Sequence, residues 1–206
     1  MSDIRILHQR ALTVTQSLVD QIDPAQLDLP TPCAAWTLGQ LLAHMTGQNH
    51  GFAAAARGES EDLAIWDDRP VGEDPAGIFA ASADDLVAAF AEEGALQRTL
   101  WLPEIHPRFR FPAVQALGFQ FIDTVVHAWD VAAAIGAPVA FDQELLDAAL
   151  PIAESVPDGE NRLAAGSAFQ PGRVDGAADG DGDGDGCGPT LDRILSLLGR
   201  SPKWRG

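Results

Sequence analysis

Cysteine is scarce in this chain. Cys33 and Cys187 are the only two among 206 residues, far apart and in dissimilar contexts, which argues against a disulfide framework and excludes a cysteine-rich zinc site. Basic residues are also few: 13 Lys and Arg face 30 Asp and Glu, for a net charge of -17. Nucleic acid and anionic membranes would be repelled by that excess and are excluded as partners. No apolar run reaches the length of about 18 residues that a membrane span needs. The start Met1-Ser-Asp-Ile-Arg5 lacks the basic, then long apolar, pattern of a signal peptide. A cytoplasmic location is the resulting expectation. Strand signal is sparse as well, which turns attention to helices.

What is present is an ordinary globular composition, 46% hydrophobic, in a chain long enough for one domain with a core. Ile4, Leu7, Leu12, Val14, Leu18, Val19 and Ile22 recur at helical spacing and predict a first helix ending before Asp23-Pro24. Thr37 is a natural N-cap for a second helix that runs to Arg57 and stops at Gly58. Pro75 opens a third helix, which ends before Gly94. The near-alternating segments Thr99–Pro103 and Arg108–Pro112 suggest a short hairpin or extended crossover. The longest periodic segment runs from about Pro112 to Ile135 and is closed by Gly136. A fifth helix is expected from Asp142 to Glu154 and a terminal one from Thr190 to Leu198, capped by Thr190. The pattern predicts an all-α fold, a four-helix bundle over residues 1–165 with a short C-terminal extension. The Gly/Asp-rich stretch 166–188 has too little apolar surface to bury and reads as a flexible loop; residues 189–206 read as a helix packing back on the bundle.

Candidate chemistry centres on the long fourth helix. Gln120, Asp123, His127 and Asp130 fall in one narrow stripe, and the rest of the circumference is almost wholly apolar. A solvated face usually carries Lys, Glu and Arg, and this stripe has none of them. Asp123 and His127, four apart, stack a carboxylate and an imidazole one turn from each other, as two ligands of one ion would be. On the second helix Gln40, His44 and Gln48 share a face beside the small residues Gly47, Gly51 and Ala55, which could leave room above an ion. Two imidazoles and a carboxylate from two helices would leave a coordination position open, as a catalytic zinc site requires, and the set also suits ferrous iron or nickel. Asp130 rivals Asp123, since it could either ligate or hold the ring of His127, and spacing does not choose between them. His8, His50 and His106 have no paired ligand and read as surface or packing residues.

The blocks Thr31-Pro-Cys-Ala-Ala-Trp-Thr37, Leu41-Leu-Ala-His44, Asp123-Thr-Val-Val-His127-Ala-Trp-Asp130 and Asp192–Trp204 resemble the DinB/YfiT-like helical bundle superfamily. Within it, the chain is similar to actinobacterial metal-binding proteins related to the N-terminal domain of mycothiol-dependent maleylpyruvate isomerase. The resemblance implies a divalent metal, commonly zinc or nickel, on His44, Asp123 and His127. For several members it also implies a low-molecular-weight, mycothiol-like thiol cosubstrate activated on that metal, so the expected activity is activation of such a thiol or of water for transfer, isomerisation or hydrolysis of a small molecule. The isomerase has a glutamate where this chain has Asp123, a shorter reach to an ion. Cys33 belongs to a matching block, but a free cysteine is more often a small buried apolar group than a nucleophile.

Two other roles are compatible with the residues. One is a non-catalytic, metal-stabilised binding or scaffolding module, for which a homodimer is left open. The other is a calcium-responsive appendage, because Asp181, Asp183, Asp185 and Asp192 fall in an EF-hand-like register. Pro189 and the closing Asp in place of Glu depart from that register.

Overall fold

The computed structural model describes residues 3–33, 36–59, 62–163, 169–173 and 189–206. Four helices make the bundle: α1 (Ile4–Val19), α2 (Leu38–Arg57), α3 (Pro75–Ala91) and α4 (Ala113–Ile135). Packing of α1 on α4, α2 on α3, α1 on α3 and α2 on α4 closes the ring of four. The core includes Leu7, Leu41, Leu42, Phe79, Leu86, Leu117, Phe121 and Val125. The fold is all-α and DinB/YfiT-like, with a two-stranded exception: β1 (Thr99–Trp101) pairs antiparallel with β2 (Arg110–Pro112).

The helix ends follow local chemistry. Thr37 Oγ1 accepts from Gln40 N–H, and Gln40 Oε1 accepts from Thr37 N–H, a reciprocal cap at the start of α2. Gly58 and Gly136, at φ of 85° and 68°, close α2 and α4 in the left-handed conformation that a side chain rarely tolerates. The first helix stops at Val19 instead of Ile22. Gln21 and Ile22 donate to carbonyls three residues back as the chain tightens towards Asp23-Pro24, although Ile22 stays in the core.

Beyond the bundle lie α5 (Gln143–Ser155), capped by Asp142, and α6 (Pro189–Leu197). Thr190 lies inside the first turn of α6 and is not its cap, because Pro189 takes the first helical position, where a missing N–H costs nothing. Thr190 Oγ1 instead lies 3.2 Å from Gln143 Nε2, tying α6 to α5. The EF-hand-like register falls on residues outside those described, apart from Asp192.

A chain of polar side chains crosses the apolar core. Gln120 on α4 donates to Asn49 Oδ1 on α2 at 3.0 Å, Asn49 donates to Ser82 Oγ on α3 at 2.9 Å, and Ser82 donates to the Phe79 carbonyl at 2.8 Å. All of these side chains are buried.

Candidate metal centre

Packing of α2 against α4 brings the three expected side chains together. His44, Asp123 and His127 each offer one ligand atom, and these atoms lie within 4.8 Å of one another. His127 Nε2 and Asp123 Oδ1 are already 3.3 Å apart, which matches the edge of a tetrahedron about zinc, about 3.3 Å for bonds near 2.0–2.1 Å. The two imidazoles meet edge to face with ring centroids 5.7 Å apart.

Each imidazole has a carboxylate near its Nδ1. His127 Nδ1 lies 2.9 Å from Asp130 Oδ2, and both side chains are buried. His44 Nδ1 lies 3.4 Å from Asp68 Oδ1, whose side chain is half exposed. The two candidate acids thus stand in different places: Asp123 groups with both imidazoles, and Asp130 lies against Nδ1 of one. Asp130 is itself gripped by Arg200, whose Nε and Nη2 each lie 3.0 Å from a carboxylate oxygen.

The charges are strongly coupled. Burial opposes a charge on His127, yet Asp123 and Asp130 outweigh it and raise its pKa to about 9. Burial and the neighbouring His127 lower the pKa of His44. Burial pushes Asp123 up, but the adjacent imidazoles, His127 foremost, hold its carboxyl below the usual range. At neutral pH the centre is thus a protonated His127 between two carboxylates.

Loop residues flank these helices. Thr31 Oγ1 lies within 3.0 Å of the Cys33 and Trp36 carbonyls, and the Trp36 indole lies on His44 with centroids 4.4 Å apart. Cys33 is a free thiol pushed up to about 11 by burial, so it stays protonated at neutral pH. After β1, Glu104 accepts from Gln48 Nε2 at 2.6 Å. Partial desolvation and the nearby carboxylates of Asp123, Asp68 and Asp67 raise its pKa. A small cavity beneath Asp123 is lined by Gln120, Asn49 and Thr124 together with Leu12, Met45 and Phe79.

Gly47 and Gly51 do not leave room above an ion. A Cβ on Gly47 would fall 2.6 Å from the Asp67 carbonyl, and one on Gly51 would fall 2.2 Å from the Trp66 ring. The small residues instead let the loop after α2 lie down on the helix, which delivers Asp68 to His44. His8 is buried in packing as expected, His50 is partly buried, and His106 lies in the β1–β2 loop, where its Nδ1 accepts from Arg108 N–H. Sequence spacing gives no hint of Trp36, Asp68, Glu104 or Arg200, which reach the centre from loops and the C-terminal segment.

The comparisons with known proteins agree with this architecture. Over 97% of its length the chain is 29% identical to the uncharacterized proteins MT0763 and Rv0738 of Mycobacterium tuberculosis, covering 98% of each. Its fold is similar to two crystal structures of the mycothiol-dependent maleylpyruvate isomerase. One, a His-to-Ala mutant, has TM-score 0.59 at 16% identity, over 80% of this chain and 72% of that one. The other has TM-score 0.55 at 17% identity, over 73% and 66%. Residues 8–132, which contain His44, Asp123, His127 and Asp130, match the mycothiol maleylpyruvate isomerase N-terminal domain model, and the chain belongs to that family.

Proposed function

We propose that this protein is a cytoplasmic, divalent-metal-dependent enzyme that acts on a small molecule with a low-molecular-weight thiol of the mycothiol type as cosubstrate. His44, Asp123 and His127 are the ligands, with zinc or nickel the favoured ion. The observation that carries the reading is the convergence of three donor atoms within 4.8 Å. Both histidines present a carboxylate to Nδ1, the arrangement that fixes the tautomer with the Nε2 lone pair free for an ion.

The donor set fits a catalytic ion better than a structural one, since three protein ligands leave a position for an exogenous group. An ion with such a position supplies Lewis acidity, lowering the pKa of a thiol or water placed against it. The chain's own residues do the rest. Asp123 sets the local charge, Asp130 and Asp68 orient the two rings, and Trp36 covers one face of His44 against water. Cys33, the described cysteine, is held protonated by burial. Cys33 is thus not the reacting thiol, and the family's name supports a thiol supplied by a cosubstrate.

Metal analysis of protein purified without a histidine tag is the test. One equivalent of zinc or nickel is expected in the parent, loss of it in His44→Ala, and binding of a low-molecular-weight thiol by the metal-loaded parent alone. A parent free of metal after saturation with zinc and nickel ends the proposal.

A further inference from the structure

Arg200 lies far outside the stretch that matches the family model, yet it is among the most deeply buried side chains of the molecule, 2% exposed. Local structure explains how it gets there. Gly199, at φ of 80°, ends α6 in a left-handed turn in which Gly199 N–H donates to the Ser196 carbonyl and Arg200 N–H donates to the Leu195 carbonyl. That reversal points the Arg200 side chain away from the axis of α6 and into α4. A Cβ on Gly199 would fall 2.5 Å from the Gln170 carbonyl, so the turn is hemmed in on its outer side as well.

The guanidinium then meets Asp130 as a fork. Nε is 3.0 Å from Oδ1 and Nη2 is 3.0 Å from Oδ2, which leaves the carboxylate little rotational freedom. Oδ2 is also the atom 2.9 Å from His127 Nδ1. A carboxylate fixed in this plane fixes the imidazole in turn, with Nε2 directed at Asp123. The other histidine has a weaker support: Asp68 stands at 3.4 Å, half exposed, and among the described residues no arginine is paired with it.

We propose that Arg200 is a positioning residue for the metal centre, acting through Asp130 on His127, so that the C-terminal segment completes a site whose ligands all lie in the bundle. The inference rests on the metal reading above. Truncation of an outer partner of a metal-bound histidine typically weakens metal binding about 10–100-fold, and that range is the effect expected here. Arg200→Lys keeps the charge and loses the fork, so it should recover only part of the affinity.

The experiment uses the full chain, with zinc affinity measured by competition against a chromophoric chelator and site geometry read from the visible spectrum of the cobalt-substituted protein. Arg200→Met should lose about tenfold or more in zinc affinity and change the cobalt spectrum, and Arg200→Lys should fall between it and the parent. Arg162→Met is the control for simple loosening of the C-terminal segment. Arg162 is buried and donates to the Val156, Pro157 and Leu197 carbonyls without touching the centre. It should lower the melting temperature and leave zinc affinity and cobalt spectrum unchanged. If Arg200→Met matches the parent in both readouts, or if Arg162→Met shifts them as much as Arg200→Met does, the positioning role is wrong. Should Arg200→Met fail to fold, Arg200→Lys decides by the same two readouts. A parent that binds no zinc or cobalt would overturn the metal reading itself, an outcome distinct from a parent that binds and an Arg200 variant that binds equally.

Discussion

The indole of Trp36 lies against the imidazole of His44, ring centroids 4.4 Å apart and planes inclined by 31°. The same indole is 6.1 Å from His127. A residue just ahead of the α2 cap thus braces the ligand whose carboxylate partner is the weaker of the two. An aromatic contact of this kind contributes about 0.5–1.5 kcal/mol beyond area burial. Trp36→Ala should therefore weaken zinc binding by up to about tenfold, while Trp36→Phe stays close to the parent. Chelator competition on the two variants checks this, and equal affinities would show that the ring does not brace the ligand.

Metal binding should release a proton near neutral pH. The pKa of His127 is raised to about 9, so the metal-free protein carries a proton on this ring that an ion must displace. Titration calorimetry in two buffers of different ionisation enthalpy should report close to one proton released per zinc at pH 7, and apparent affinity should climb with pH until about 9.

The same group sets a slope on the stability of the metal-free protein. A pKa above the unfolded value means that the folded state binds the proton more tightly. The contribution is fully present below about pH 6.5 and fades as pH rises through about 9. Its size is roughly 3 kcal/mol at about 1.4 kcal/mol per pH unit. His127→Gln should flatten the alkaline limb of a denaturant-midpoint profile taken in chelator.

His8 acts in the opposite sense. Burial lowers its pKa to about 3, so the unfolded state binds the proton more tightly; stability is intact above about pH 6.5 and is lost as pH falls towards 3. Its neighbour Thr124 already donates to the Gln120 carbonyl, so an apolar replacement orphans nothing. His8→Leu should shift the acid-unfolding midpoint to lower pH, read by circular dichroism, and an unchanged midpoint would count against a buried neutral ring.

Gly51→Ala places a methyl 2.2 Å from the indole of Trp66. Overpacking of this kind costs about 1–3 kcal/mol, and the loop that carries Asp68 must move to relieve it. Both a lower melting temperature and a several-fold loss of zinc affinity are expected, whereas Gly58→Ala, with open space around it but a left-handed backbone, should show only the first.

The bundle was legible because its helices announce both ends. Thr37 caps a start, Gly58 and Gly136 mark stops, and apolar residues keep helical spacing between them. The convergence of His44, Asp123 and His127 was legible in part for a related reason: on α4 an acid and a histidine four apart share a face by helix geometry alone, in a stripe without long charged side chains. Trp36, Asp68 and Arg200 were not, since loops and a C-terminal turn deliver them and no periodicity governs where a loop residue points. Gly47 and Gly51 were legible as small but not as to what fills the space beside them, because the filling comes from Asp67 and Trp66 in the next segment. Asp130 was visible as a contender, and only its guanidinium neighbour settles which side of the imidazole it occupies.

The polar thread from Gln120 through Asn49 to Ser82 has a bearing on the whole assembly. Greasy surfaces tolerate a helix rolling about its own axis, whereas directional donors do not. A slip of α2 by one residue would strand several buried amide and hydroxyl groups, at about 1–3 kcal/mol each. Asn49 sits five positions after His44, and Gln120 three before Asp123, so the thread works as an azimuthal lock. Whatever keeps those amides mated keeps His44 on one helix aimed at Asp123 and His127 on the other.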